Sequence, residues 1–235
     1  MDNKIELNII YQEDYRITLN KIPDKSIDLL CTDPPYKQNM GGGGSIKKKF
    51  DYRLNDLKEL SDFEPNEFLK LIKPKLKKFN AYIWTSKDLI YDYIKFAKDN
   101  NYNFDILIYA KNNPIPAKNN TYLSDVEYCI FIREGGVTFN NNLEFKKYKK
   151  VMFDNVNNTG LGHPTIKHLW MIKKMIEISS NENDIIYDPF IGSGTTAIAC
   201  KILNRNYIGS EIKKRYYELS KKRLNEVKFN LHKFF

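Results

Sequence analysis

Cysteine is scarce in this chain: three residues in 235, Cys31, Cys129 and Cys200, far apart and in no Cys-x-x-Cys pair. Histidine is as rare, with three in all. His163 and His168 stand five apart with no acids nearby, which is not a metal-ligand spacing. A disulfide framework, a structural zinc site and any other metal site are therefore not expected, and a reducing cytoplasm is the expected setting. No apolar run approaches the ~20 residues that span a bilayer, and Met1-Asp2-Asn3-Lys4-Ile5-Glu6 lacks the basic-then-apolar order of a signal peptide. No membrane partner is expected. Two phosphate-binding patterns are also missing. There is no Gly-x-Gly-x-x-Gly for a dinucleotide and no Gly-Lys-Ser/Thr for a triphosphate, which counts against an NAD-dependent oxidoreductase and a P-loop enzyme.

What is present is enough apolar material for a globular core, 42% hydrophobic and 14% aromatic, so the chain is not a disordered one. Lys and Arg number 38 against 29 Asp and Glu, a formal net charge of +9. Part of that charge lies in clusters: Lys47-Lys48-Lys49, residues 70–78, Lys146, Lys147, Lys149 and Lys150 around Tyr148, and residues 213–223. Basic clusters interleaved with aromatics suit a polyanion whose bases can be stacked upon, so nucleic acid is a candidate partner; a solvated lysine surface would leave the same composition.

Apolar runs bounded by turn signals alternate with segments of helical period. Strands are expected at 27–32, 81–85, 104–109, 126–132, 184–188 and 207–211, and helices at 87–99, 164–178, 195–203 and 213–227. The alternation predicts one α/β domain over 1–235 with a mostly parallel sheet flanked by helices. Residues 37–49, with four successive glycines, and 135–162 read as loops.

Two segments carry chemistry. Asp188-Pro189-Phe190-Ile191-Gly192-Ser193-Gly194-Thr195-Thr196 is a strand end, a glycine turn and a helix start, and Glu211 ends the next strand 23 residues after Asp188. Glycines let a ligand approach the backbone, and an acid at the neighbouring strand end suits ribose hydroxyls. Asp33-Pro34-Pro35-Tyr36 follows a buried strand directly. The prolines lack N–H donors, so the Asp33 carboxylate and the Pro34 carbonyl present acceptors only, a pocket for an amino group, with Tyr36 offering a flat face to a planar base.

These two segments together resemble the S-adenosylmethionine (SAM)-dependent DNA amino-methyltransferases. The tetrapeptide precedes the glycine turn, the order of that family's permuted beta group, found in bacterial restriction-modification systems. His163-Pro164-Thr165-Ile166-Lys167 is similar to the family's His-Pro-Thr-Gln-Lys-Pro motif, and Asp14 falls where the group has Gly-Asp. The likeness covers roughly residues 8–36 and 163–224; Ile166, His168 and Glu13 depart from the pattern.

The resemblance implies a Rossmann-like methyltransferase fold, with approximately 111–160 as a small inserted target-recognition region. It implies methyl transfer from SAM to an exocyclic amino group of a flipped DNA base, with Asp33, Pro34, Pro35 and Tyr36 catalytic. Asp14, His163, Thr165, Lys167, Asp188, Phe190, Gly192, Ser193, Gly194, Thr195, Thr196 and Glu211 would hold the cofactor: Glu211 at the ribose, Asp14 at the adenine amino group, Ser193, Thr195 and Lys167 near the methionine end. Lys47, Lys48, Lys49, Lys111, Lys146, Lys147, Lys149 and Lys150 would contact DNA. Asp at the first position of the tetrapeptide leans to N6-adenine and Ser to N4-cytosine. RNA methylation and a silent DNA-binding subunit are the other readings. A homodimer and a cognate restriction endonuclease are further candidate partners.

Overall fold

A computed structural model describes residues 5–35, 63–114, 122–156 and 166–229. Eight strands form one sheet: β1 (Ile9–Tyr11), β2 (Leu29–Thr32), β3 (Asn80–Thr85), β4 (Asn103–Lys111), β5 (Val126–Arg133), β6 (Val151–Asp154), β7 (Ile185–Asp188) and β8 (Asn206–Ser210). They lie in the order β1-β8-β7-β2-β3-β5-β4-β6. All neighbouring pairs are parallel except those of β5, which runs against both β3 and β4. The helices are α1 (Tyr15–Leu19), α2 (Pro65–Ile72), α3 (Ile90–Asp99), α4 (Leu169–Ser179), α5 (Thr195–Ile202) and α6 (Lys214–Phe229).

The central strands read as unbroken apolar runs because both faces are covered. Every residue of β2 and β3 is buried, as expected of parallel strands between helical layers. Alternate residues serve separate cores. Cys31, Tyr82, Trp84 and Cys129 pack with Met171, Met175 and Ile198 of α4 and α5. Leu30, Ile83 and Ile130 pack with Phe68, Ile72, Tyr93 and Phe96 of α2 and α3. Pro65 opens α2, where its missing N–H costs no intrahelical bond, and Phe68, Leu69 and Ile72 supply its buried stripe. Among the described residues no helix is long and apolar enough to cross a membrane.

The α/β class and the largely parallel sheet agree with expectation; three local readings change. The helix expected from 164 begins at Leu169, because His168 is extended as its N-cap and Lys167, outside the helix, reaches Asp33 and Glu127 on the sheet. The stretch 135–162 is not all loop, since β6 lies in it and pairs with β4. Within 111–160, both β5 and β6 belong to the main sheet, so the described part of that stretch is integral to the fold rather than an insertion upon it. Edge strand β6 carries too few residues, with one buried among four, to announce itself by period.

Gly209 in β8 lies under the glycine turn, and a Cβ there would meet Ile191 Cδ1 at 2.4 Å and its Cβ at 3.2 Å. Gly209→Ala must push Ile191 and the turn outward, costing about 1–3 kcal/mol as overpacking does; urea unfolding measures this, and an unchanged midpoint would contradict the packing argument.

Candidate active site at the carboxyl edge of the sheet

The strand order sets four carboxylates side by side. β1, β8, β7 and β2 are adjacent and parallel, and their carboxyl ends are followed or ended by Asp14, Glu211, Asp188 and Asp33 respectively. This edge is where open α/β sheets bind ligands.

Each acid is compensated differently. Asp14 caps α1: Oδ1 accepts from the Arg16 backbone N–H at 2.8 Å and from its Nε at 2.9 Å, and Oδ2 accepts from Nη2 at 2.9 Å. Those bonds from Arg16 hold its carboxyl below the usual range. Glu211 Oε2 accepts from the Gly192 N–H at 3.0 Å and Oε1 from the Lys213 N–H at 2.7 Å. Burial outweighs these two dipoles and raises its pKa to about 7.

Asp188 faces inward. Its Oδ1 accepts from Thr32 Oγ1 at 2.8 Å and from the Phe190 N–H at 3.2 Å, and Oδ2 accepts from Thr196 Oγ1 at 2.7 Å. Burial pushes this acid to about 6. Asp188 and Thr196, expected at the cofactor, tie β2, β7 and α5 together.

The turn is fixed from behind by α6. Gly194 has φ +81°, and a Cβ on it would meet Ser220 Cβ at 2.9 Å, so glycine is required both by backbone conformation and by the approach of α6. Arg223 Nη1 donates to the Ser193 carbonyl at 2.6 Å, to Ser193 Oγ at 2.8 Å and to Thr195 Oγ1 at 3.2 Å. Its burial lowers its pKa, and within the basic cluster of residues 213–223 this member is turned inward onto the turn. Phe190 turns to the other face of the sheet, its ring 4.9 Å from Tyr15 and 5.7 Å from Phe63 and from Phe68.

At β2 the chain passes into Asp33, Pro34 and Pro35. Asp33 Oδ2 receives Lys167 Nζ at 2.9 Å, while Oδ1 is buried with no hydrogen-bond partner among the described residues. Burial raises the Asp33 pKa, Lys167 opposes that, and nearby Glu127 adds to it. Lys167 also meets Glu127 Oε2 at 2.8 Å and lies 4.7 Å above the Trp84 ring. Glu127 Oε1 is 3.1 Å from Lys111. Although burial opposes its charge, the two lysines hold Glu127 down to about 2.

The expected site residues therefore divide. Asp14, Asp33, Pro34, Pro35, Lys167, Glu211 and the turn from Phe190 through Thr195 converge on one edge. Tyr36, His163, Thr165, Lys47, Lys48 and Lys49 lie outside the described residues. The Lys146–Lys150 group, expected to contact DNA, precedes β6 and so sits towards the edge opposite the pocket. There Lys146 pairs with Glu144, Lys147 with Glu177 and Lys150 with Asp105, while the Lys149 carbonyl accepts from Lys174. Lys111 is at the pocket edge, engaged by Glu127. Sequence reasoning missed Glu127, Trp84 and Arg223. The one available signal was a lone acid, Glu127, opening an otherwise apolar strand.

Comparison with known proteins assigns the family. A family model described as DNA methylase, of N6/N4 methyltransferases, matches residues 27–222. The chain belongs to this family. Among its relatives is the Type II methyltransferase M2.LlaDCHI of Lactococcus lactis subsp. cremoris, 30% identical over 93% of this chain and 89% of that protein. The Type II methyltransferase M.HinfI of Haemophilus influenzae is 31% identical over 95% of this chain and 70% of its own. The crystal structure of the M1.HpyAVI–SAM complex superposes with a TM-score of 0.68 at 28% identity, covering 92% of this chain and 98% of that one. PvuII DNA methyltransferase, cytosine-N4-specific, shares the fold at a TM-score of 0.65 and 16% identity, covering 94% of this chain and 91% of its own.

Asp188→Ala leaves two buried hydroxyls and one N–H without their acceptor, and should cost about 3 kcal/mol of stability. Chemical denaturation measures it; a loss under about 0.5 kcal/mol would show that this carboxylate does not tie the strands.

Proposed function

We propose that this DNA methylase transfers a methyl group from SAM to the N6 amino group of adenine in duplex DNA, the base being turned out of the stack into the pocket beside Asp33. The observation that carries this reading is the buried, unpartnered Oδ1 of Asp33. A buried carboxylate oxygen without a donor costs free energy until a donor arrives, and an exocyclic amino group is such a donor. Asp as the first residue of the tetrapeptide supports adenine over cytosine.

The residues of the edge fit SAM. Glu211 places two acceptor oxygens at the end of β8, each accepting a single backbone bond, which leaves lone pairs for two ribose hydroxyls. Asp14 is suited to an adenine amino group, in exchange for part of its bonding to Arg16. The turn around Gly192 and Gly194 lets the ligand lie close to backbone. When bound, SAM supplies a methyl group on a positively charged sulfur, which leaves as a neutral thioether.

The chain's own contribution is positioning and electrostatics. The lone pair of the target nitrogen is delocalised into the ring, which makes it a poor nucleophile. Asp33 Oδ1 accepts one of its N–H bonds and the Pro34 carbonyl the other, drawing the nitrogen towards a tetrahedral shape with its lone pair aimed at the methyl carbon. As the N–C bond forms, the surplus proton on nitrogen is held by Asp33 until it passes to solvent. Turning out the base costs a few kcal/mol of unstacking, which contacts to DNA must offset.

Labelled SAM incubated with DNA, RNA or protein, followed by digestion, tests the reading. N6-methyladenine in DNA is the expected product. N4-methylcytosine would move the target base, label in RNA would move the substrate, and no transfer at all would leave a DNA-binding subunit. Asp33→Ala should retain SAM affinity within about twofold while losing at least about 100-fold in transfer rate. Because the Glu211 carboxyl is held at about 7 and must be ionised to serve two hydroxyls, SAM affinity should fall below that pH by up to about tenfold per unit. Calorimetric titration across that range checks this; Glu211→Gln should weaken binding above pH 7 and flatten the dependence.

A further inference from the structure

The strand register brings together residues far apart in the chain. Thr32 pairs with Ile83, so the next position on each strand, Asp33 and Trp84, are neighbours on the opposite face. Trp84 pairs with Cys129, and Glu127, two residues away on β5, shares its face and pairs with Tyr109. Lys111 is two residues beyond Tyr109. Asp33, Trp84, Glu127 and Lys111 thus form a row across β2, β3, β5 and β4, on the face that α4 covers. Lys167, two residues before α4, comes down on this row with its side chain 8% exposed. Only because β5 is antiparallel does its amino end, with Glu127, reach the same edge as Asp33.

The row alternates in sign and is balanced: Asp33, Lys167, Glu127, Lys111. Elsewhere in the molecule lysines with one carboxylate partner meet it in two ways: Lys75, Lys87 and Lys95 each meet a single oxygen, of Asp24, Asp88 and Asp99, while others take both. Lys21 meets Glu13 Oε1 and Oε2 at 2.7 Å each, and Lys147 meets those of Glu177 at 2.8 and 2.7 Å. Lys167 instead meets Asp33 through Oδ2 while Oδ1 has no partner. A second carboxylate bears on the same ammonium: Glu127 Oε2 meets it at 2.8 Å, and the other oxygen of Glu127 is 3.1 Å from Lys111.

Taking the Asp33 pocket as the methyl-transfer site proposed above, we infer that Glu127 is a positioning residue for the reaction: it holds the Lys167 ammonium to one oxygen of Asp33 and so reserves the other for the target amino group. Without Glu127 the ammonium is released to close on both oxygens, as Lys21 and Lys147 do on their partners, and to compete with the substrate. Glu127 touches neither substrate nor cofactor in this account and acts through Lys167.

The ionisation of Asp33 gives a second signature. The groups facing it are Lys167 from the segment before α4, Glu127 and Cys129 from β5, Asp188 from β7 and Cys31 of its own strand, with Lys111 and Tyr109 of β4 beyond Glu127. The Glu127 charge disfavours Asp33 ionisation. Neutralising it while keeping its shape should therefore move the acid limb of the rate profile to lower pH.

Single-turnover methylation of DNA by Glu127→Ala and Glu127→Gln, with SAM affinity measured in parallel, tests the inference. Glu127→Ala should lose at least about tenfold in transfer rate with SAM affinity within about twofold, a geometric rather than a binding defect. In Glu127→Gln the amide oxygen still accepts from the ammonium, so the rate should recover to within about threefold of the parent with the acid limb displaced downward. Wild-type rate in Glu127→Ala would overturn the proposal, as would a Glu127→Gln that is as slow as Glu127→Ala or keeps the parental acid limb. If Glu127→Ala does not fold, the isosteric variant's acid limb decides. A parent protein that methylates no DNA would instead sink the proposed function, a separate failure.

Discussion

Burying carboxylates side by side is the constraint around which this sheet edge is built. Taking a carboxylate out of water costs several kcal/mol unless partners replace the solvent, and three of the four acids in the row are largely withdrawn from it. The partner type then determines the acid's character. Glu127, held by two ammonium groups, stays near 2. Asp188 and Glu211, held by hydroxyl and backbone dipoles alone, rise to about 6 and about 7. Full charges keep a buried acid ionised; dipoles only partly do. Asp33 lies between these cases, with one ammonium on one oxygen and nothing on the other.

The same accounting explains why the site is assembled from strands rather than loops alone. A parallel ladder presents every strand end at one edge, so Asp14, Glu211, Asp188 and Asp33 need no long-range search to become neighbours once β1, β8, β7 and β2 pair. The reversal at β5 extends the row by bringing in an amino end. The helices contribute from behind: α4 through the residues before it, which bring Lys167, and α6 through Ser220 and Arg223 against the glycine turn.

What could be read from sequence was whatever is local. Asp33-Pro34-Pro35 directly after a buried run, and a glycine turn between a strand and a helix, each carry their geometry in consecutive residues. Glu211 could be placed because one strand–helix–strand spacing fixes it. Glu127 and Arg223 could not, because their roles depend on which strand lies beside which and on which face α6 turns inward. The helix after Lys167 is expected too early since Pro164 suits a first turn, whereas His168 is the extended N-cap and the helix begins at Leu169. The lysines after Phe145 looked like phosphate contacts because composition is blind to the edge of a sheet and to the acids, Glu144, Glu177 and Asp105, that meet them.

Arg223 and Ser220 grip the glycine turn from near one end of the described chain, while β1 closes the sheet beside β8 from near the other. The glycine turn therefore lacks its brace in a growing polypeptide until α6 has been made. Asp33 and its strand leave the ribosome early, but the turn stays unbraced until synthesis has passed residue 223. The two halves of the edge are thus separated in time: the strand that carries Asp33 is made long before the brace that holds the glycine turn.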